Sequence, residues 1–308
     1  MPAPGAKQPL LVTGVPRSGT TWVARLLATA RGTALTGREP MNPRERQYAL
    51  GGTLTGWVRL ESITPRQRRA LRTAYRGLNP RVFGRYGRRQ ALAPLPGTRV
   101  VIKDPFAMLS VPLITRETGA RAVQVYRHPG AVLASYRRMG WTPDLDEIAD
   151  LIEAHPDGDD GVRRLWDRRS DGLSDAEAMG IFWAVLNTVV LEDLAAAPDT
   201  VLLAHHELAA AGAPAVRSMF TTLGLVPTGA TAAEMTKEGP AAPAAPGTPT
   251  TPTTPTTEPQ TLHRFDRSPA EVAQSWRNHV TAEDIARIEE ITGTVQAGFE
   301  QHKLSLDI

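Results

Sequence analysis

The stretch Leu11 to Trp22, L-V-T-G-V-P-R-S-G-T-T-W, constrains this chain more than any other. A short apolar run enters a glycine-containing turn and passes straight into a helical pattern. In such a unit backbone N–H groups and a helix N-terminus converge on one point, which is how a fold holds phosphate. Gly14, four residues, Gly19, then Thr20 and Thr21 mimics the P-loop spacing G-x-x-x-x-G-K-[ST], with Thr20 in the lysine position. The cation, Arg17, has moved into the middle of the loop. A P-loop kinase or hydrolase needs that lysine on the β- and γ-phosphates, and acidic or hydroxyl ligands for Mg²⁺. The loop therefore predicts anion binding that relies on Arg17 and backbone donors.

Four short β-rich runs are legible: Leu10–Gly14, Arg99–Asp104, Ala122–Arg127 and Thr200–His206. Between them Thr20–Thr29, Gly130–Met139 and Ser174–Ala197 read as helices, the last opened by a Ser174/Glu177 capping box. Strand alternating with helix predicts an α/β fold: a central parallel sheet with helices on both faces, ligands binding at the carboxyl ends of the strands. At 308 residues one such domain is expected, over 1–238, with helical insertions near 40–95 and 141–170 on the acceptor side. A Pro/Thr/Ala tract at 239–260 has no large apolar residue and reads as a disordered linker. In 261–308, Thr281 caps a last helix whose Ile285, Ile288, Ile291, Val295 and Phe299 share one face and complete the core.

The absence of cysteine excludes disulfides and thiolate metal sites and fits a cytoplasmic location. The first fifteen residues hold too short an apolar run for a signal peptide, and no integral membrane segment is expected. Alanine, arginine and proline usage resembles that of a GC-rich bacterium. The formal charge of +3 is unevenly placed: Arg59 to Arg89 holds ten arginines and one acid, Glu61. That segment reads as a solvated helix surface or as a basic wall for an anionic nucleotide or acceptor. It carries no nucleic-acid-binding motif, so no nucleic-acid partner is expected.

A second anion site follows the third strand. In V-Y-R-H-P-G-A-V-L-A-S-Y-R-R-M, Arg127 stands at the strand terminus and Ser135 two helical turns further on, so both can face one phosphate. Two phosphate sites imply a bisphosphorylated nucleotide.

G-V-P-R-S-G-T-T-W together with Y-R-H-P-G-A-V-L-A-S-Y resembles the paired nucleotide motifs of the sulfotransferases that use 3′-phosphoadenosine 5′-phosphosulfate (PAPS), whose fold is P-loop-NTPase-like. S-W-R-N-H-V-T, from Ser275 to Thr281, is similar to that family's C-terminal W-K-N segment. The resemblance implies metal-independent transfer of a sulfuryl group from PAPS to a hydroxyl or amine of a small-molecule or glycan acceptor. It assigns Arg17, Ser18, Gly19, Thr20, Thr21 and Trp22 to the 5′-phosphosulfate, Trp22 also flanking the adenine, and Arg127 and Ser135 to the 3′-phosphate. His205, in H-H-E-L on the fourth strand, is a candidate for the adenine, and Arg267 stands nearest the family's terminal basic motif. The chain departs from the family's usual pattern with Arg17 for lysine, and with His128 and Ala131 for Asn and Asp.

Acceptor activation needs a base. Many family members place a histidine after a lysine at the end of the second strand; here V-V-I-K-D-P-F keeps Lys103 and puts Pro105 where the histidine would stand. Glu39, in T-G-R-E-P-M-N-P, resembles the acidic residue of glutamate-using members and is the favoured base; otherwise it is a surface glutamate paired with Arg38. Asp104 is a second candidate. Lys103 either pairs with Asp104 or assists the leaving oxygen. Two other readings stay open: a P-loop-like nucleotide kinase or hydrolase, and a homologue that binds nucleotide without turning it over.

Overall fold

The computed structural model describes residues 8–45, 50, 52–54, 56–78, 88–154, 160–235 and 274–306; the tract at 239–260 and Arg267 lie outside them. Five strands, β1 (Leu10–Thr13), β2 (Thr33–Thr36), β3 (Arg99–Lys103), β4 (Arg121–Tyr126) and β5 (Val201–Ala204), form one sheet in the order β2-β3-β1-β4-β5. Every pairing is parallel, with Val12 beside both Lys103 and Val123.

Side chains alternate across each strand, and this alternation makes the layers. Leu10, Val12, Val101, Val123 and Leu203 join one apolar cluster with Val23 and Leu27 of α1 (Thr20–Leu27) and with Met219 and Phe220 from the helix at Ala213–Thr222. Leu11, Ile102, Ala122, Tyr126 and Leu202 face the other way. There they meet Leu71 of α2 (Pro65–Tyr75), Ile114 of α3 (Val111–Thr118) and Val132 of α4 (Pro129–Met139). α5 (Ala149–Ala154) and α6 (Asp160–Asp167) lead into the long α7 (Asp175–Asp193). After β5 come α8 (His205–Ala211), α9 (Ala213–Thr222) and α10 (Gly229–Met235), and the chain's last helix is α11 (Ala282–His302). The sheet thus carries helices on both faces.

Both expected caps form: Ser174 Oγ accepts from Glu177 N at 3.1 Å, and Thr281 Oγ1 from Asp284 N at 3.1 Å. Arg137 then ties three helices together, reaching Asp175 at 2.7 Å and Asp284 at 2.8 Å. Both carboxylates sit in first helical turns, where the helix dipole favours them. On α11, Ile288, Ile291, Val295 and Phe299 are buried, as the spacing predicts.

Two expectations need correction. β2 escaped notice because T-A-L-T is four residues long, half of them threonine, and pairs only with β3. The fourth strand ends at Ala204, so His205 and His206 open α8 instead of lying on the strand. Within the arginine-rich segment Arg68 and Arg72 pair with Glu117, and Arg59 with Asp193. Those three therefore join elements to one another.

The chain crosses from β3 on one side of β1 to β4 on the other. The loops that follow β1 and β4 therefore lie side by side at the carboxyl edge, where an open α/β sheet leaves a crevice.

Candidate active site

The loop after β1 is a tight backbone turn, with Ser18 N donating to Val15 O at 3.0 Å. Arg17 takes φ +74°, a conformation seldom adopted outside glycine. Gly19, at φ +94°, caps α1, and a Cβ there would collide with the His205 ring. Only glycine lets backbone and imidazole approach this closely. His205 also meets Trp22 edge to face at 5.4 Å. Ser18 Oγ is buried with no hydrogen-bond partner, a donor held ready beside the helix N-terminus.

Arg17 and Ser135 come together from opposite ends of the pattern: Arg17 Nε donates to Ser135 Oγ at 3.0 Å. Arg127 Nη1 donates to the carbonyl of Arg17 at 3.4 Å, and the carbonyl of Arg127 accepts from Trp183 Nε1 at 3.1 Å. Among the described residues neither Arg17 nor Arg127 has a carboxylate partner. Burial pushes the Arg127 guanidinium down to about 10, with Arg138 and Arg17 adding to the effect. Burial and then Arg138 lower Arg17 as well. Half-buried cations without counter-charges are costly, and an anion would relieve that cost.

Glu39 is 7 % exposed and lies beyond β2, so it is no surface residue. Its Oε1 pairs with Lys103 at the end of β3, and its Oε2 accepts from Asn42 Nδ2 at 2.5 Å. Asp104, fully buried, accepts the backbone N–H of Met41 at 2.5 Å. Two adjacent residues of one strand end thus hold the 39–42 turn, one by its carboxylate and one by its backbone. Asp104 has no exposed surface, whereas Glu39 keeps a small one.

The C-terminal segment closes over the start of α4. Trp276 stacks on His128, with ring centroids 4.7 Å apart, and the Arg277 guanidinium lies 4.6 Å from the centroid of the Trp276 ring. A side chain at Gly130 would strike Trp276. His128 Nδ1 accepts from Gly130 N at 3.1 Å, the capping role asparagine plays elsewhere, and its Nε2 lies 3.3 Å from Glu289. Burial lowers the His128 pKa, opposed by Glu289.

The structure therefore brings Arg17, Ser18, Gly19, Thr20, Trp22, Arg127, Ser135 and His205 to one edge of the sheet, and joins Lys103 to Glu39. Sequence reasoning missed the support given by Asn42, His128 and Trp183. Only His128 left a signal, as a side-chain acceptor directly before Pro129 at a helix start.

A model described as "Sulfotransferase family" matches residues 9–201. No curated protein matches the chain. Among solved structures, the sulfotransferase domain from the curacin biosynthetic pathway aligns at 14% identity and a TM-score of 0.46. That alignment covers 92% of this chain and 97% of that one. Sulfotransferase STF1 from Mycobacterium tuberculosis H37Rv aligns at 18% identity and a TM-score of 0.36, covering 76% and 72%.

Proposed function

We propose that this chain, which belongs to the sulfotransferase family, takes the sulfuryl group of PAPS and passes it in line, without metal, to a hydroxyl or amine of a small-molecule or glycan acceptor. The observation that carries the donor is the meeting of Arg17, Ser135 and Arg127, with no carboxylate partner for either arginine among the described residues. Two phosphate-ready loops that share their cations suit a nucleotide bearing one phosphate at each end. The orphaned Ser18 hydroxyl and the glycine cradle against His205 suit the same ligand.

In this reading Ser18, Gly19, Thr20 and Thr21 hold the 5′-phosphosulfate, and Trp22 with His205 flanks the adenine. Arg127 and Ser135 take the 3′-phosphate, with Arg267 as a further contact. The donor supplies an electrophilic sulfur and a bisphosphate leaving group. Arg17 and Lys103 answer the charge that grows on the leaving oxygen, and Glu39 receives the acceptor's proton. The work is done in the cytoplasm, where PAPS is the donor substrate.

Calorimetric titration with adenosine 3′,5′-bisphosphate, with and without Mg²⁺, tests this. Metal-independent binding, weakened about tenfold or more by Arg17→Ala and by Arg127→Ala, is expected for charge-assisted contacts. No binding, or binding only of ATP with Mg²⁺, would overturn it and favour a kinase or hydrolase.

A further inference from the structure

We infer that the acceptor is an aromatic hydroxyl whose ring rests on Trp141, an inference that stands on the sulfuryl transfer proposed above. Five rings form a row: Trp141 to Tyr136 at 5.7 Å, Tyr136 to Phe182 at 6.5 Å, Phe182 to Trp57 at 5.9 Å, and Trp57 to Phe106 at 4.4 Å. At one end the Arg17 guanidinium lies 5.9 Å from the Trp141 ring. At the other, Phe106 follows Lys103 by three residues, and Lys103 holds Glu39. The row therefore runs from the arginine assigned to the sulfuryl group to the segment that follows β3, whose last residue, Lys103, pairs with the assigned base.

Four of these rings are buried; Trp141 is 42 % exposed. Its backbone is fixed, because Gly140 ends α4 in a left-handed conformation and Trp141 N then donates to Tyr136 O at 3.0 Å. The Tyr136 contact is edge to face, at 89°. The indole N–H has no partner among the described residues. A placed, partly bare indole 5.9 Å from the Arg17 guanidinium is a platform for another ring.

The base argues for the same acceptor. Each Glu39 oxygen already accepts a hydrogen bond, from Lys103 and from Asn42. An acceptor that gives up its proton readily asks least of such a carboxylate. A phenol, with a pKa near ~10, does so far more readily than an aliphatic hydroxyl resembling water at ~15.7. Arg17, Arg127 and Arg138, mutually repelling, would favour the phenolate further. In the step, the phenol oxygen forms a bond to sulfur while the bond from sulfur to the bridging phosphate oxygen breaks. The electron pair leaves with adenosine 3′,5′-bisphosphate, the phenol proton goes to Glu39, and the aryl sulfate is released.

The test uses the full chain with PAPS and three acceptors, 2-naphthol, cyclohexanol and methyl glucoside, beside Trp141→Ala and Trp141→Phe. Turnover of 2-naphthol well above both others is expected. Its KM should rise about tenfold in Trp141→Ala, the scale of one aromatic pair, and return within about threefold in Trp141→Phe. Bisphosphate affinity should stay unchanged in both variants. Equal or faster turnover of cyclohexanol or the glucoside, or a 2-naphthol KM indifferent to Trp141→Ala, overturns this inference and leaves sulfuryl transfer standing. Failure to bind adenosine 3′,5′-bisphosphate overturns both.

Discussion

Arg17 Nε and Ser135 Oγ meet at 3.0 Å across 118 positions of sequence, so the loop after β1 and the second turn of α4 share one polar junction. Ser135 is 2 % exposed, and its hydroxyl is the sole side-chain acceptor Arg17 has among the described residues. Without it, Arg17 at its positive φ loses the contact that aims it. Ser135→Ala is expected to weaken adenosine 3′,5′-bisphosphate binding about five- to tenfold, the worth of one or two modest hydrogen bonds. Unfolding stability should change by about 1 kcal/mol, the net worth of the one hydrogen bond removed. Calorimetry and urea unfolding check the two halves separately.

Gly19 and His205 are coupled by shape. Any side chain at position 19 must take φ +94° and also displace the imidazole. The conformational part costs ~1–2 kcal/mol, and the collision adds to it. Gly19→Ala is therefore expected to destabilise by roughly 2–4 kcal/mol in urea unfolding. Adding His205→Ala should return the collision part and leave the conformational part, so the double mutant is more stable than the sum of the singles predicts.

His205 also sets a pH dependence. Burial pushes its pKa down to about 3, with Arg127 and His206 adding to the effect. In the unfolded chain it titrates near ~6.5. Above that value both states are neutral and nothing is lost. Below it the unfolded chain binds a proton that the folded one refuses, so stability falls as pH drops from 6.5 towards 3, by up to ~2 kcal/mol between pH 6.5 and 5. His206, lowered mainly by burial, contributes in the same direction. His205→Gln should flatten this part of the curve, with urea midpoints at pH 7.5, 6 and 5 as the measurement. Equal slopes in wild type and variant would contradict the burial of a neutral imidazole.

Most of the backbone framework of this candidate site was legible because it is local. The strand, turn and helix of residues 10–27 are one continuous signal, and Arg127 to Ser135 is another. The same holds for both capping boxes and for the apolar face of α11, which short-range periodicity encodes. What the chain hid is long-range. The pairing of Glu39 with Lys103 spans 64 positions and the stacking of Trp276 on His128 joins two distant segments, and neither partner's neighbours announce the contact. Asp104 shows the limit most clearly. By type and position it reads as a second base, and only its complete burial and its bond to Met41 N reveal a carboxylate that shapes the 39–42 turn. His205 was misplaced by one element because L-L-A-H-H is apolar enough to extend a strand, whereas the chain turns helical at the first histidine.

The Glu39–Lys103 pair allows chemistry and stability to be separated. Both side chains are nearly buried, at 9 % and 12 % exposed. Removing one partner strands the other charge away from water, which costs ~3–5 kcal/mol for a buried pair. Lys103→Ala should therefore unfold at markedly lower urea. Glu39→Gln keeps one oxygen to accept from Lys103 and turns a donor towards Asn42 Nδ2, so it loses one hydrogen bond but retains the shape of the site, and its stability loss should be smaller than that of Lys103→Ala. Its kcat should nevertheless fall about a hundredfold or more, the usual contribution of a positioned base, with bisphosphate affinity unchanged. Glu39→Gln combined with Lys103→Met removes both charges and should regain most of the stability lost by Lys103→Ala, because no uncompensated ion remains. It should regain none of the activity. If the double variant recovered turnover, Glu39 would be a structural half of an ion pair and the proton would have another destination; if Glu39→Gln alone lost bisphosphate binding, its carboxylate would be serving the donor rather than the acceptor.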